Sequence, residues 1–508
     1  MALQAMVIET GKNGELSTDT RLIDQFFASL KSKPNVVIHF HGGLVDRAAG
    51  LEIAKKLTPV YEAAGSSPVF FVWESGLLEV LRNNITEIAG EDFFKILLKH
   101  VTQFVVGKVT ADSGKAISNL FLPTDLDVYS ELATRNAGEE PYDDLSPNEV
   151  APLTDDDIQA FSDTLSRDTD FRATVDAIAD SVVPETRDVS RDIIVRRQTS
   201  ARSLISPDIV AQLQTDVESA RSEGARGLVS AAFLIKHAID VFSRVILRSR
   251  RGSDHGIYPT IVEEILREFY LANVGLEIWK AMKLETVETF RSGTKPRGGY
   301  YFAVKLVELL KDTSNQPCLT LVGHSTGAVF IVNMLKHLDE LRNTTKALPA
   351  DFAIRNVIFL APACTYDLFS TVITAPYQAS GGPLYQNFRT FGMLDSSECA
   401  DVIVPYVYTR SLLYFVSGVL EVDQTGESSP DIPILGMERF YRNGKVYSQS
   451  AVSDVRAWID SDKKRVVWSP TGSAAAGLGS AAVHHGDFDD DLVTLESVKT
   501  IIRAGCGG

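Results

Sequence analysis

Six short apolar runs constrain this chain more than any other feature. They are VVIHF (36–40), PVFFVWES (68–75), CLTLVG (318–323), NVIFLAPA (356–363), NFRTFGML (387–394) and KRVVWSP (464–470). Most are apolar at consecutive rather than alternate residues, so such strands are covered on both faces. Helical repeats separate them, at 48–65 (closed by Gly65), 299–312, 328–342, 407–422 and 491–503. The alternation predicts an α/β fold with a doubly wound, mostly parallel sheet.

The rhythm stops between residues 77 and 295. There the patterns are helical, with the most apolar stretches at 92–109 and 227–251, and an acidic run at 138–159. The expected organisation is a catalytic domain of residues 1–76 and 296–508, with 77–295 as a large helical insertion. Within 227–251, apolar residues recur every three or four positions, and a basic cluster ends the segment. That pattern fits a packed core helix, or a lid that rests on a lipid surface.

The net charge of -16 argues against a nucleic-acid footprint, which requires a basic face. No stretch is apolar enough for long enough to span a membrane. The N-terminus lacks the charged and apolar regions of a signal peptide. The four cysteines show no CxxC spacing and imply neither a zinc site nor a disulfide framework. A cytoplasmic location is the expectation.

The run LTLVGHSTGAVF (319–330) carries the chemistry. A buried strand enters a turn with Ser325 between Gly323 and Gly327, and a helix follows. GxSxG in a strand–turn–helix setting is a nucleophile elbow, in which a tight turn presents one hydroxyl. Ser325 is the candidate nucleophile.

With this elbow and the loop HFHGGL (39–44), residues about 1–76 and 296–508 resemble an α/β-hydrolase of the lipase/esterase type. The resemblance implies a chain order of serine, acid, histidine. His484 and His485 lie beyond the elbow helix, and His485, ahead of a glycine turn, is the favoured base. Asp395, the first carboxylate after NFRTFGML, is the expected acid, with Glu398 and Asp401 as rivals. The oxyanion donors would be the backbone N–H groups of Thr326 and of Gly43 or its neighbour Leu44. His41, Gly42 and His324 would support the two turns, and Glu74 and Ser75 share the rim.

The expected function is a serine hydrolase that cleaves carboxylic esters, lipid esters included, through an acyl-enzyme. The alternatives are an amidase or peptidase on the same triad, and a catalytically silent scaffold that binds a protein through the insertion. No metal or cofactor is called for. The expected partners are a small-molecule or lipid ester, with peripheral membrane contact if the insertion is a lid.

Overall fold

The computed structural model describes residues 5–30, 35–43, 45–73, 76–113, 142, 150–182, 204–219, 223–311, 317–374, 382–423 and 429–506. Seven strands form one open sheet: β1 (Met6–Thr10), β2 (Asn35–Phe40), β3 (Ser67–Trp73), β4 (Cys318–His324), β5 (Ile354–Leu360), β6 (Tyr385–Met393) and β7 (Val466–Ser469). Their order is β1-β3-β2-β4-β5-β6-β7, and every pairing is parallel. The fold is therefore α/β. Six strands match the six apolar runs. The edge strand β1, MVIET, was not anticipated; it adds beside β3 in the register Met6↔Val69.

Two layers of helix cover the sheet. On one face, α2 (Arg47–Ala63) and the C-terminal helix (Leu492–Cys506) close over Val37, Phe70, Val322, Ile358 and Phe391. Asp46 caps α2 by accepting from Ala49 N–H (2.8 Å), and Gly65 ends it at φ 78°. The other face carries Ile38, Phe71, Leu321 and Val357, covered by α1 (Thr20–Ser29) and by the helices that follow the insertion. Among the described residues, 77–295 supply no strand.

The insertion, residues 77–295, shares one continuous core with the Ile38 face of the sheet. Its helices include α3 (Leu77–Gly90), α4 (Asp92–Ser113), α5 (Asp155–Arg167), α6 (Thr169–Val182), α7 (Pro207–Ser219), α8 (Glu223–Arg251), α9 (Ile257–Ile265) and α10 (Leu276–Glu288). The long helix α8 packs against α4, α5, α6, α7 and α9. Its face of Leu234, Ala238, Phe242, Val245 and Ile246 is buried. Its basic end is not a free cluster either: Arg248 is buried in ion pairs with Glu263 and Glu264 of α9. An exposed apolar face, as a lipid-resting lid would need, is therefore not what these α8 residues present.

Two further helices flank the elbow: α11 (Gly298–Leu310) precedes β4 and α12 (Gly327–Asp339) follows it. The helix expected over 407–422 is shorter, spanning Leu412–Phe415 before a wider turn at Val416–Leu420. Cys364 and Cys399 are free thiols, whereas Cys318 at the start of β4 is disulfide-bonded, a pairing that cysteine spacing did not suggest. No helix among the described residues is long and apolar enough to cross a membrane.

Candidate active site

The chain runs outward from β2 to β3 and then crosses to the other side of β2 for β4. The C-terminal ends of β2 and β4 therefore flank the point where strand order reverses, where open α/β sheets place their ligands. The His41-Gly42-Gly43 turn leaves β2 there, and Ser325-Thr326 leaves β4.

Ser325 has φ 53°, a left-handed conformation that L-residues other than glycine rarely adopt. Local bonds hold it. Its N–H donates to Leu360 C=O (2.8 Å), and its C=O accepts from Ala328 N–H and Ala363 N–H (both 3.1 Å). Such a strained residue persists only when its surroundings over-determine it. Both flanking glycines are required by space. A Cβ on Gly323 would lie 2.7 Å from the Gly327 backbone, and one on Gly327 would lie 2.1 Å from Phe40 O.

The second turn abuts the first. A Cβ on Gly42 would lie 3.2 Å from Ser325 Cβ, and one on Gly43 would lie 2.5 Å from Thr326 Oγ1. His41 holds this turn, as expected: Nδ1–H donates to Gly42 O (2.7 Å), and Nε2 accepts from Trp73 N–H (3.2 Å). That pattern fixes a neutral tautomer, and burial brings the pKa of His41 down to about 4. Leu44, Glu74 and Ser75 lie outside the described residues.

His324 does more than line the turn. Its Nδ1–H donates to Asp489 Oδ2 (2.8 Å) and its Nε2–H donates to His485 O (2.9 Å). Both ring nitrogens are donors, so the ring is the imidazolium. Burial works against that charge, but Asp489, the His485 carbonyl and Asp490 together raise the His324 pKa. Asp489 is driven down to about 2 against its own burial, chiefly by His324.

His485 packs beside His324, with ring centroids 5.3 Å apart. It is buried, and neither ring nitrogen has a hydrogen-bond partner among the described residues. Burial, then the His324 charge, lower its pKa to about 3, while Asp489 pulls the other way. His484 instead points outward and pairs with Asp487.

The carboxylates after β6 are arranged differently from expectation. Asp395 Oδ1 accepts from Tyr414 O–H (2.8 Å), and its backbone N–H donates to Glu438. No hydrogen bond joins it to His485. Glu398 is fully buried against Ser411, and burial pushes its pKa well up, towards the neutral acid. Asp401 reaches the histidine loop, but through the backbone: Oδ2 accepts His485 N–H (2.7 Å). Asp489, not among the expected acids, is the carboxylate that hydrogen-bonds a histidine of the elbow. The signal was present in HHGDFDDD, where a 3₁₀ turn over Asp487–Asp489 brings its last residue back to the elbow.

The site is covered. Ser325 is 2% exposed, and a Cβ on Gly43 would lie 2.1 Å from Met282 Sδ of α10. Helix α10 is anchored through Glu421, which accepts from Trp279 Nε1–H (2.5 Å) and pairs with Lys283. The insertion thus reaches the elbow through α10 rather than α8. No family model, curated protein or solved structure matches the chain.

Proposed function

We propose that the chain is a serine hydrolase of α/β-hydrolase type, acting on carboxylic esters, lipid esters included. The observation that carries this reading is Ser325 at φ 53° on a strand-to-helix turn whose neighbour His324 packs against His485, a buried histidine with both ring nitrogens unpaired among the described residues. A strained serine and an unpaired buried base have no packing purpose, and together they are the parts of nucleophilic catalysis.

In this mechanism Ser325 Oγ attacks the ester carbonyl carbon and its proton passes to His485. The carbonyl π pair moves onto oxygen, which the N–H groups of Gly43 and Thr326 receive. As the tetrahedral adduct collapses, the bond to the alcohol oxygen breaks and His485 returns the proton to it. Water then repeats the sequence on the acyl-enzyme. The neutral state of His485 is the proton-accepting form. The Asp489 charge favours the imidazolium as it develops, so Asp489 rather than Asp395 takes the electrostatic role. A pKa near 3 makes a weak base, so turnover requires α10 to move and open the site to substrate and water.

That burial also favours one other reading, a silent scaffold with a sealed site. A fluorophosphonate probe separates the two. The hydrolase is labelled, and Ser325→Ala is not; no labelling of the wild-type chain, or equal labelling of the variant, overturns the proposal.

A further inference from the structure

At the N-terminal ends of the strands, opposite the end that carries Ser325, the first residues of β5 and β6 and the approach to β7 frame a cavity of about 540 Å³. Trp458, the segment Ala475–Leu478, Thr500 and Ile501 also line it. Its volume lies in the range of small-molecule sites.

The charge of the lining is unusual for this protein. Arg355, Arg389, Lys464 and Arg465 line it, and among its described residues Asp462 is the only carboxylate. The chain as a whole carries -16. Asp462 is partly committed, since Oδ1 accepts Lys464 N–H (3.0 Å) to start a turn. Arg389 donates Nη1–H to Gly477 O (2.8 Å), yet its Nε is buried without an acceptor. Arg355 donates to Gln386, and its Nε is likewise buried and unmet. Arg465 is spread over the Trp458 ring, 4.1 Å from its centroid. Burying guanidinium N–H groups without acceptors is costly, and an anion supplies acceptors. Burial even lowers the Arg389 pKa, with only Asp462 opposing it.

We propose that this cavity binds a phosphate-bearing small molecule of nucleotide size. Guanidinium forks match phosphate oxygens, and several cations on one cavity suit a multiply charged group better than a single carboxylate. Tyr385 and Trp458 give the wall against which the uncharged part of such a ligand would rest. The inference does not depend on Ser325 being a nucleophile.

Calorimetric titration of the full chain with ADP, pyrophosphate and orthophosphate tests it. ADP and pyrophosphate bind saturably, more tightly than orthophosphate, and binding weakens as salt rises. ADP tighter than pyrophosphate identifies a nucleotide-like ligand; equal affinity identifies the phosphate group alone, which still supports the site. Lys464→Glu, at an exposed residue, and Arg389→Gln each weaken binding by about tenfold or more. Thermal unfolding verifies that both variants fold. No saturable binding at about 10 mM ligand, or unchanged affinity in folded Lys464→Glu and Arg389→Gln, overturns the proposal.

Discussion

Two buried polar clusters sit in this molecule, and they treat their charges in opposite ways. The first joins the insertion to residues 408–431. His255 lies between Glu263 (2.7 Å) and Asp431 (2.9 Å). Arg248 faces Glu263 (2.8 Å) and Glu264 (3.0 Å), Arg244 also pairs with Glu264 (2.7 Å), and Tyr408 donates to Glu263 (2.6 Å). The second cluster surrounds Ser325. There His39, His41, His324 and His485 share one carboxylate, Asp489, and only His324 is bonded to it. Among the described residues the ring nitrogens of His485 have no hydrogen-bond partner, and His39 Nε2, Thr326 Oγ1 and Asp489 Oδ1 are also unmet. On the proposed function, the difference separates architecture from chemistry. A network that only holds helices together sets each charge against its opposite, because an uncompensated buried charge is destabilising. A group kept buried and unpaired costs stability, and such groups concentrate where a reaction uses them.

The largest effect that would break this comparison is at the second cluster. Ser325→Ala and His485→Ala should each lower ester hydrolysis by roughly 10⁴-fold or more, because such residues act as a unit. His484→Ala, at an exposed ring, should stay near wild type. Ser325→Gly should be equally inactive yet more stable, by about 1 kcal/mol, since glycine relieves the left-handed strain. An inactive but less stable glycine variant would contradict the account of Ser325 as a strained residue.

At the first cluster the signs reverse. Arg248→Met leaves Glu263 and Glu264 buried with less compensation and should cost about 3–5 kcal/mol in denaturant unfolding. Fluorophosphonate labelling of the folded fraction should persist. A loss below about 1 kcal/mol would mean that the network is not the structural joint described here.

The two clusters also differed in how legible they were. The elbow could be read because its signal is local. Gly323, Ser325 and Gly327 lie on one turn, and the steric need for Gly323 follows from that turn, while that for Gly327 comes from the neighbouring β2 backbone at Phe40. Six strands were legible for the same reason, since burial on both faces leaves continuous apolar runs. The edge strand β1 is only five residues with one buried flank, and it left no such run. The contacts of the carboxylates were not legible, because they depend on the fold rather than on chain order. Asp395 occupies the expected position along the chain, but Tyr414 and Glu438 engage it. Asp489 lies in a run of acids that reads as solvated surface until the 3₁₀ turn folds it under His324. The ion network was illegible because its partners are up to 176 residues apart, as His255 and Asp431 are.

A finer division within the second cluster concerns the two aspartates. Asp489→Asn removes the charge acting on His324 and His485, and should lower turnover by about 10²-fold with little change in KM. Asp395→Asn should lower it less, because the hydrogen bond from Tyr414 survives in part. The reverse order would return the acid role to Asp395 and leave Asp489 as a structural partner of His324.

The smallest effect is one of pH, and it separates the clusters without touching the reaction. In the folded chain, burial holds His39 and His41 near pKa 4 and His485 near 3, against about 6.5 when unfolded. Between pH 6.5 and 4.5 the unfolded chain therefore binds more protons at these positions, and stability falls as pH falls. His324 has the opposite sign: its raised pKa adds stability that is full below 6.5 and is lost as pH climbs through the folded value. Glu263 of the ion network, held at about 2, adds stability above its unfolded value of 4.5 that is lost only on further acidification. The window from 6.5 to 4.5 leaves Glu263 silent, but Glu398, whose pKa burial raises well above 4.5, contributes there with the opposite sign, so the histidine term is read from a variant rather than from the wild-type slope. His485→Asn removes one of the three neutral rings, so its stability should depend on pH less steeply than that of the wild-type chain. The difference should approach 1.4 kcal/mol per pH unit, the value for one proton, in denaturant unfolding across the window. Parallel slopes would show that His485 titrates alike in the folded and unfolded chain, and the contrast between a starved cluster and a saturated one would fail at its central residue.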